Sequence, residues 1–155
     1  MTQSFDPSVK RLLSGLVLAV ALLFAHAGHA GAPQDAIVGT WLTEDGGSKV
    51  DIAASTRADG ATVYSGRVSW LKDPTRDGKP LRDAKNDDAA LRDRPILGLE
   101  IVSGFKAAAG GWGGGSLYSP RNGRSYPAEL SLTPDGRLEV KVKAGFVSKT
   151  VYWSR

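Results

Sequence analysis

GGWGGGSLYSPRNGRSYPAEL, residues 110–130, is the stretch that decides how this chain folds. Its glycine cluster admits three readings: a phosphate cradle, a flexible linker, or a corner in a β-sheet. The spacing matches neither G-x-G-x-x-G nor G-x-x-x-x-G-K-S/T, and no helical pattern follows to offer its N-terminus to a phosphate. Strand-like runs flank it on both sides, which argues against a linker. What remains is a bulged strand corner, where glycines 113–115 let the backbone bend or let a neighbour approach closely. Trp112 then packs on that corner. Downstream, Asn122-Gly123 is the strongest hairpin signal in the chain. Tyr126, Ala128, Leu130 and Leu132 fall on one face of the strand after it, and Pro127 on the other face marks an edge or a bulge.

Outward from this stretch the pattern repeats. RLEVKVKA (137–144) sets Leu138, Val140, Val142 and Ala144 against Glu139, Lys141 and Lys143, the period-two signature of a half-buried strand. AIVGTWLT (36–43), SKVDIAAS (48–55), ATVYSGRVSWL (61–71), PILGLEIVSGF (95–105), SLYSP (116–120), RSYPAELSLT (124–133) and FVSKTVYWSR (146–155) read the same way. Asp45-Gly46, Asp59-Gly60 and Asp135-Gly136 mark turns between them. In ATVYSGRVSWL, alternation puts Tyr64, Gly66, Val68 and Trp70 on one face. One segment breaks the pattern: KDPTRDGKPLRDAKNDDAALRDR (72–94) is a long charged loop with one helical turn near Asp88–Leu91. Eight strands with no amphipathic helix predict an all-β fold. A small eight-stranded antiparallel barrel removes the exposed sheet edges; a two-sheet sandwich is the alternative.

Residues 1–30 read as a cleaved signal peptide. Lys10 and Arg11 precede the apolar run LLSGLVLAVALLFA (12–25), shorter than the roughly 20 residues of a bilayer span. AHAGHAGA (25–32) supplies small-residue cleavage sites. The expectation is an exported protein, periplasmic or secreted, with one domain over 33–155 and no transmembrane span after cleavage. Without Lys10, Arg11 and Asp6, the 20 basic and 16 acidic residues fall to 18 and 15, a net charge of +3. That mild excess of mixed charges describes a soluble surface, not a nucleic-acid-binding one. The chain has no cysteine, and both histidines, His26 and His29, lie in the leader. The remaining domain therefore lacks histidine-assisted and thiol nucleophiles and the usual zinc or copper ligands.

Taken in order, several motifs add up: Gly39-Thr40-Trp41; Gly66 to Trp70-Leu71; Asn86; Arg92-Asp93-Arg94-Pro95; Leu97-Gly98-Leu99; Trp112-Gly113-Gly114-Gly115; Tyr118-Ser119-Pro120; Gly123-Arg124; Tyr126; and Trp153-Ser154-Arg155. Over nearly all of the chain after the leader, this order resembles the bacterial exported family known as domain of unknown function 2147. The resemblance implies a small lipocalin-like (calycin-like) barrel. It carries no established reaction, so it assigns no catalytic residue. In calycins a G-x-W tryptophan on the first strand meets an arginine on the last strand. The resemblance gives those barrel-closing places to Trp41 and Arg155.

The functional expectation is a non-catalytic binding protein for a small hydrophobic or amphipathic ligand. Tyr64, Trp70, Tyr126 and Val140 are the candidate interior lining, with Trp112 and Tyr118 near a mouth. The alternative is a filled barrel that meets an envelope protein through the 72–94 loop. Asp73, Asp77, Asp83, Asn86, Asp87 and Asp88 are oxygen donors, but their spacing is not that of an EF-hand and nearby cations compete for them. That loop reads instead as solvated and partly ordered by Arg92 and Arg94. A third reading, an enzyme, needs paired carboxylates in a cleft, and alternation turns Asp51, Glu100, Glu129 and Glu139 outward. No cofactor, metal or catalytic residue is expected.

Overall fold

The computed structural model describes residues 35–155; the expected signal peptide, residues 1–30, lies outside them. The strands are β1 (Gly39–Leu42), β2 (Ser48–Thr56), β3 (Thr62–Leu71), β4 (Thr75–Arg76), β5 (Lys79–Pro80), β6 (Glu100–Ala108), β7 (Gly111–Ser119), β8 (Arg124–Leu132), β9 (Leu138–Ala144) and β10 (Val147–Trp153). All but β4 and β5 join one antiparallel sheet in the order β1-β2-β3-β6-β7-β8-β9-β10. One sheet carries all eight strands, so the sandwich alternative does not apply. The sheet curls until its edges meet. Leu42 and Ser154 exchange backbone hydrogen bonds of 2.6 and 3.0 Å, which ties β1 to the end of β10.

Alternation explains the core. Val50, Ile52, Tyr64, Val68, Val102, Phe105, Leu130, Leu138 and Val140 point inward and are buried. Burying each such side chain contributes about 1.5–3 kcal/mol before the cost of ordering it. The chain entering β1 covers one end. Ile37 is fully buried there, and its carbonyl accepts a 2.8 Å hydrogen bond from the Trp41 indole. The Arg155 guanidinium carbon lies 4.6 Å from the Trp41 ring centroid, and its Nη2 donates to the carbonyls of Ala36 and Val38 at 2.7 and 3.3 Å.

The glycine cluster is a bulge inside β7, not a corner ahead of it. Trp112 pairs with Leu130 and Gly115 with Ala128, so three steps on β7 span two on β8. Gly114 absorbs the extra residue at φ +73°. A Cβ on Gly115 would lie 2.4 Å from the Phe105 ring, so a side chain there and the aromatic core exclude each other. Strand pairing is made by the backbone, and the cluster lengthens β7 to Gly111 despite its lack of side chains.

The β3–β6 connection is ordered. It contains the β4–β5 hairpin and a 3-10 turn at Ala89–Leu91 capped by the Asp88 carboxylate. Hydrogen bonds from Ile96 to Leu81 and from Asp83 to Arg94 fold it back on itself. It lies at the same end as the β1–β2 and β7–β8 turns, and together these three segments surround the mouth of the barrel. No helix among the described residues is long and apolar enough to cross a membrane.

Candidate functional site

The expected interior lining is not a cavity wall. A side chain bordering a water-sized void presents surface to it. Trp41, Val50, Tyr64, Val102, Phe105, Leu138 and Val140 present none, and Trp112 almost none. Tyr64 and Trp112 meet edge to face, with centroids 6.2 Å apart, so they fill the centre jointly. The Tyr64 hydroxyl donates to Asp35 at 3.3 Å, and burial raises its pKa above the ordinary tyrosine value. Trp112 is core and does not stand at a rim.

Trp70 departs furthest from expectation. It does not share the buried face of Tyr64, Gly66 and Val68; 42% of its surface is exposed. The β2–β3 register shifts between Lys49 and Val50: Lys49 pairs with Trp70, but Val50 pairs with Val68. Ser69 is therefore the extra residue of a bulge, which breaks the alternation and turns Trp70 out. There the Lys49 ammonium lies 5.7 Å from its ring centroid. Tyr126 keeps its predicted face but is only half-buried, and its hydroxyl accepts a 2.7 Å hydrogen bond from the Asn122 amide.

Tyr118 belongs to a polar cluster that fastens the long connection to the barrel. Its hydroxyl lies 2.7 Å from both oxygens of Asp83, a fully buried carboxylate. Asn86 donates at 2.8 Å both to Asp83 and to the Tyr118 hydroxyl. Arg94 approaches Asp83 at 2.9 Å through Nε and Nη2 and lies over the Tyr118 ring. Burial, then the hydrogen bond to Asp83, raises the Tyr118 pKa. For Arg94, burial opposes the charge, but the Asp83 and Tyr118 contacts outweigh it and its pKa rises. Arg92 donates to the Asn86 carbonyl, and the backbone at Lys85 presses so close on Gly123 that a Cβ would sit 1.7 Å from the Lys85 oxygen. The segment read from sequence as a solvated loop is thus pinned from within.

Pinning the connection leaves a cleft of about 690 Å³ at the barrel mouth. This size lies within the range of about 300–1,000 Å³ typical of small-molecule sites. Val68 and Leu71 of β3, Ile101 of β6, and Leu81 and Ile96 of the connection supply apolar walls. Arg76, Arg82, Lys85 and Arg121 stand around it with Asp45 and Asp73. Arg121 reaches from the β7–β8 turn to form an ion pair with Asp45 of the β1–β2 turn. The Asp45 carboxyl is held below the ordinary aspartate value by the Gly47 amide, then by the Thr43 hydroxyl and Arg121. Sequence reasoning missed Leu81 and Ile96 as wall residues: Leu81 is a lone apolar residue in the charged run, and Ile96 falls in PILGLEIVSGF (95–105), whose pattern reads as a strand.

The fold and its motifs have known counterparts. Residues 39–155 match the profile of DUF2147, described as an uncharacterized protein conserved in bacteria. The chain belongs to this family. A solved protein of the human pathogen Helicobacter pylori, described as belonging to the lipocalin family, superposes with a TM-score of 0.59. The two are 20% identical, over 76% of this chain and 81% of that one. At that identity the likeness establishes the fold alone: this DUF2147 member is a lipocalin-like curled sheet. No curated protein matches it.

Proposed function

We propose that the protein is an exported, non-catalytic binding protein that holds a small amphipathic anion in the mouth cleft. The carrying observation is the division of space: side chains fill the barrel centre, whereas the mouth opens a cleft with apolar walls and a basic surround. The apolar part of the ligand rests on Leu71, Leu81, Ile96 and Ile101. Four cations face two carboxylates around the cleft, which favours an anionic head group. The one carboxylate buried among the described residues, Asp83, is fully engaged by Tyr118, Asn86 and Arg94, which fits a structural role better than proton transfer.

Dye displacement with laurate as probe tests the reading. Leu81→Trp and Ile96→Trp, which narrow the cleft, are expected to weaken laurate at least ten-fold without changing the far-UV spectrum. Unchanged binding in both variants would overturn the cleft assignment. A protein partner captured equally by the wild type and both variants favours the connection's outer surface instead. The denatured mass of protein recovered after export reads the cleavage: a chain beginning near residue 31 is expected, and an intact N-terminus rejects the signal peptide.

A further inference from the structure

The tip of the β9–β10 hairpin lies past the last pairing of β9 with β8. Pairing of β8 with β9 stops at Ala128 and Val142, and pairing of β10 with β9 continues to Val147 and Ala144. Gly145, at φ +63°, and Phe146 form the two-residue turn. At this apex Phe146 is fully exposed (109%) and Val147 is 68% exposed. Large apolar side chains are costly to leave in water, and two adjacent ones at a tip fit burial in a partner phase.

Lysines surround the apex. KVKAGFVSK (141–149) carries three and no acidic residue. Lys143 pairs across the strands with Ser148 and Lys149 with Val142, so the two lysines stand on opposite faces of the hairpin. Lys143 shares its charge with Glu129, while Lys149 makes no ion pair among the described residues. We infer that this hairpin is a membrane-docking device: Phe146 and Val147 enter the interfacial layer of a bilayer, and Lys141, Lys143 and Lys149 meet anionic head groups. Shape separates this from a protein partner. A stable protein interface buries about 800 Å² on each side, more than a two-residue convex tip offers. A bilayer accepts such a wedge, and the lysine collar selects its charge.

Vesicle sedimentation of the full chain tests the inference, with vesicles of phosphatidylcholine alone or with about 30% phosphatidylglycerol as probes, the second carrying the negative surface potential that attracts basic clusters. Stronger binding to the anionic vesicles is expected. Phe146→Ala should weaken it about ten-fold, and Lys149→Gln about five-fold. Comparing variants of one full-length chain cancels any contribution from residues 1–34. The chain has no cysteine, so Val147→Cys accepts a single environment-sensitive dye that reports the tip directly. A blue shift on anionic vesicles supports insertion. Equal binding to both vesicle types, no effect of Phe146→Ala, or a dye shift that follows protein concentration without lipid would each overturn it, the last in favour of a second copy.

Discussion

The hydroxyl of Tyr118 stands 2.7 Å from the carboxylate of Asp83, 35 positions earlier in the chain. This contact joins the long connection to β7, and so it shapes the mouth cleft. Asp83→Ala leaves Arg94 without its partner and the Tyr118 hydroxyl without an acceptor. Loss of one partner of a buried ion pair costs about 3–5 kcal/mol; Arg94 reaches water with about a third of its side chain, which places the expected cost near the lower end. Tyr118→Phe removes the hydrogen bond to Asp83 and the one accepted from Asn86 and should cost about 1–3 kcal/mol. Urea unfolding reads both, and proteolysis within 72–94 should accelerate in each.

Gly123 and Gly136 both adopt positive φ, +74° and +80°, but only Gly123 is crowded. Gly136→Ala should therefore cost about 1 kcal/mol from backbone conformation alone. Gly123→Ala should cost clearly more, because its Cβ displaces the Lys85 backbone, and it should expose the amides of residues 83–88 to hydrogen exchange. Equal costs for the two would refute the proposed seat of the connection.

The tryptophans separate core from surface. Trp112→Ala should destabilise by about 3–5 kcal/mol. Trp70→Ala, at a half-exposed bulge, should cost less than about 1 kcal/mol. Thermal or chemical denaturation of the pair distinguishes the bulged register from simple alternation, which predicts similar losses for both.

Arg155 closes the end of the barrel opposite the mouth. Arg155→Ala removes its stacking on Trp41 and its bonds to Ala36 and Val38, for an expected loss of about 1–2 kcal/mol. Arg155→Lys should recover little, since an ammonium neither stacks as a plane nor presents the same donor fork. The Trp41 emission maximum should shift red in the alanine variant as its ring gains water.

Alkaline pH should loosen the connection. Tyr118 is raised above its ordinary value near 10, first by burial and then by Asp83. The folded state thus holds this proton more tightly than the unfolded chain. Its contribution to stability is complete below pH 10 and is lost as pH rises through the folded value. Urea midpoints between pH 8 and pH 12 should fall more steeply for wild type than for Tyr118→Phe; parallel curves would remove Tyr118 as the cause.

The local pattern was legible wherever one face of a strand meets the core and the other meets water. RLEVKVKA became β9 almost residue for residue, and Asp45-Gly46, Asp59-Gly60, Asn122-Gly123 and Asp135-Gly136 all lie in turns. The bulges were harder. An inserted residue inverts alternation without leaving a mark in composition, so Trp70 reads as inward in sequence and stands outward in the fold.

By itself the sequence determined the strands, their turns, the all-β class and the absence of histidine from the domain, because these follow from local periodicity and composition. Only the tertiary structure decided that the barrel centre is filled and that the charged 72–94 segment is anchored. Asp83, Asn86, Arg94 and Tyr118 look like ordinary surface residues one at a time. They become a buried cluster only when chain crossing brings them into hydrogen-bond contact, and removal of water then makes that pairing obligatory.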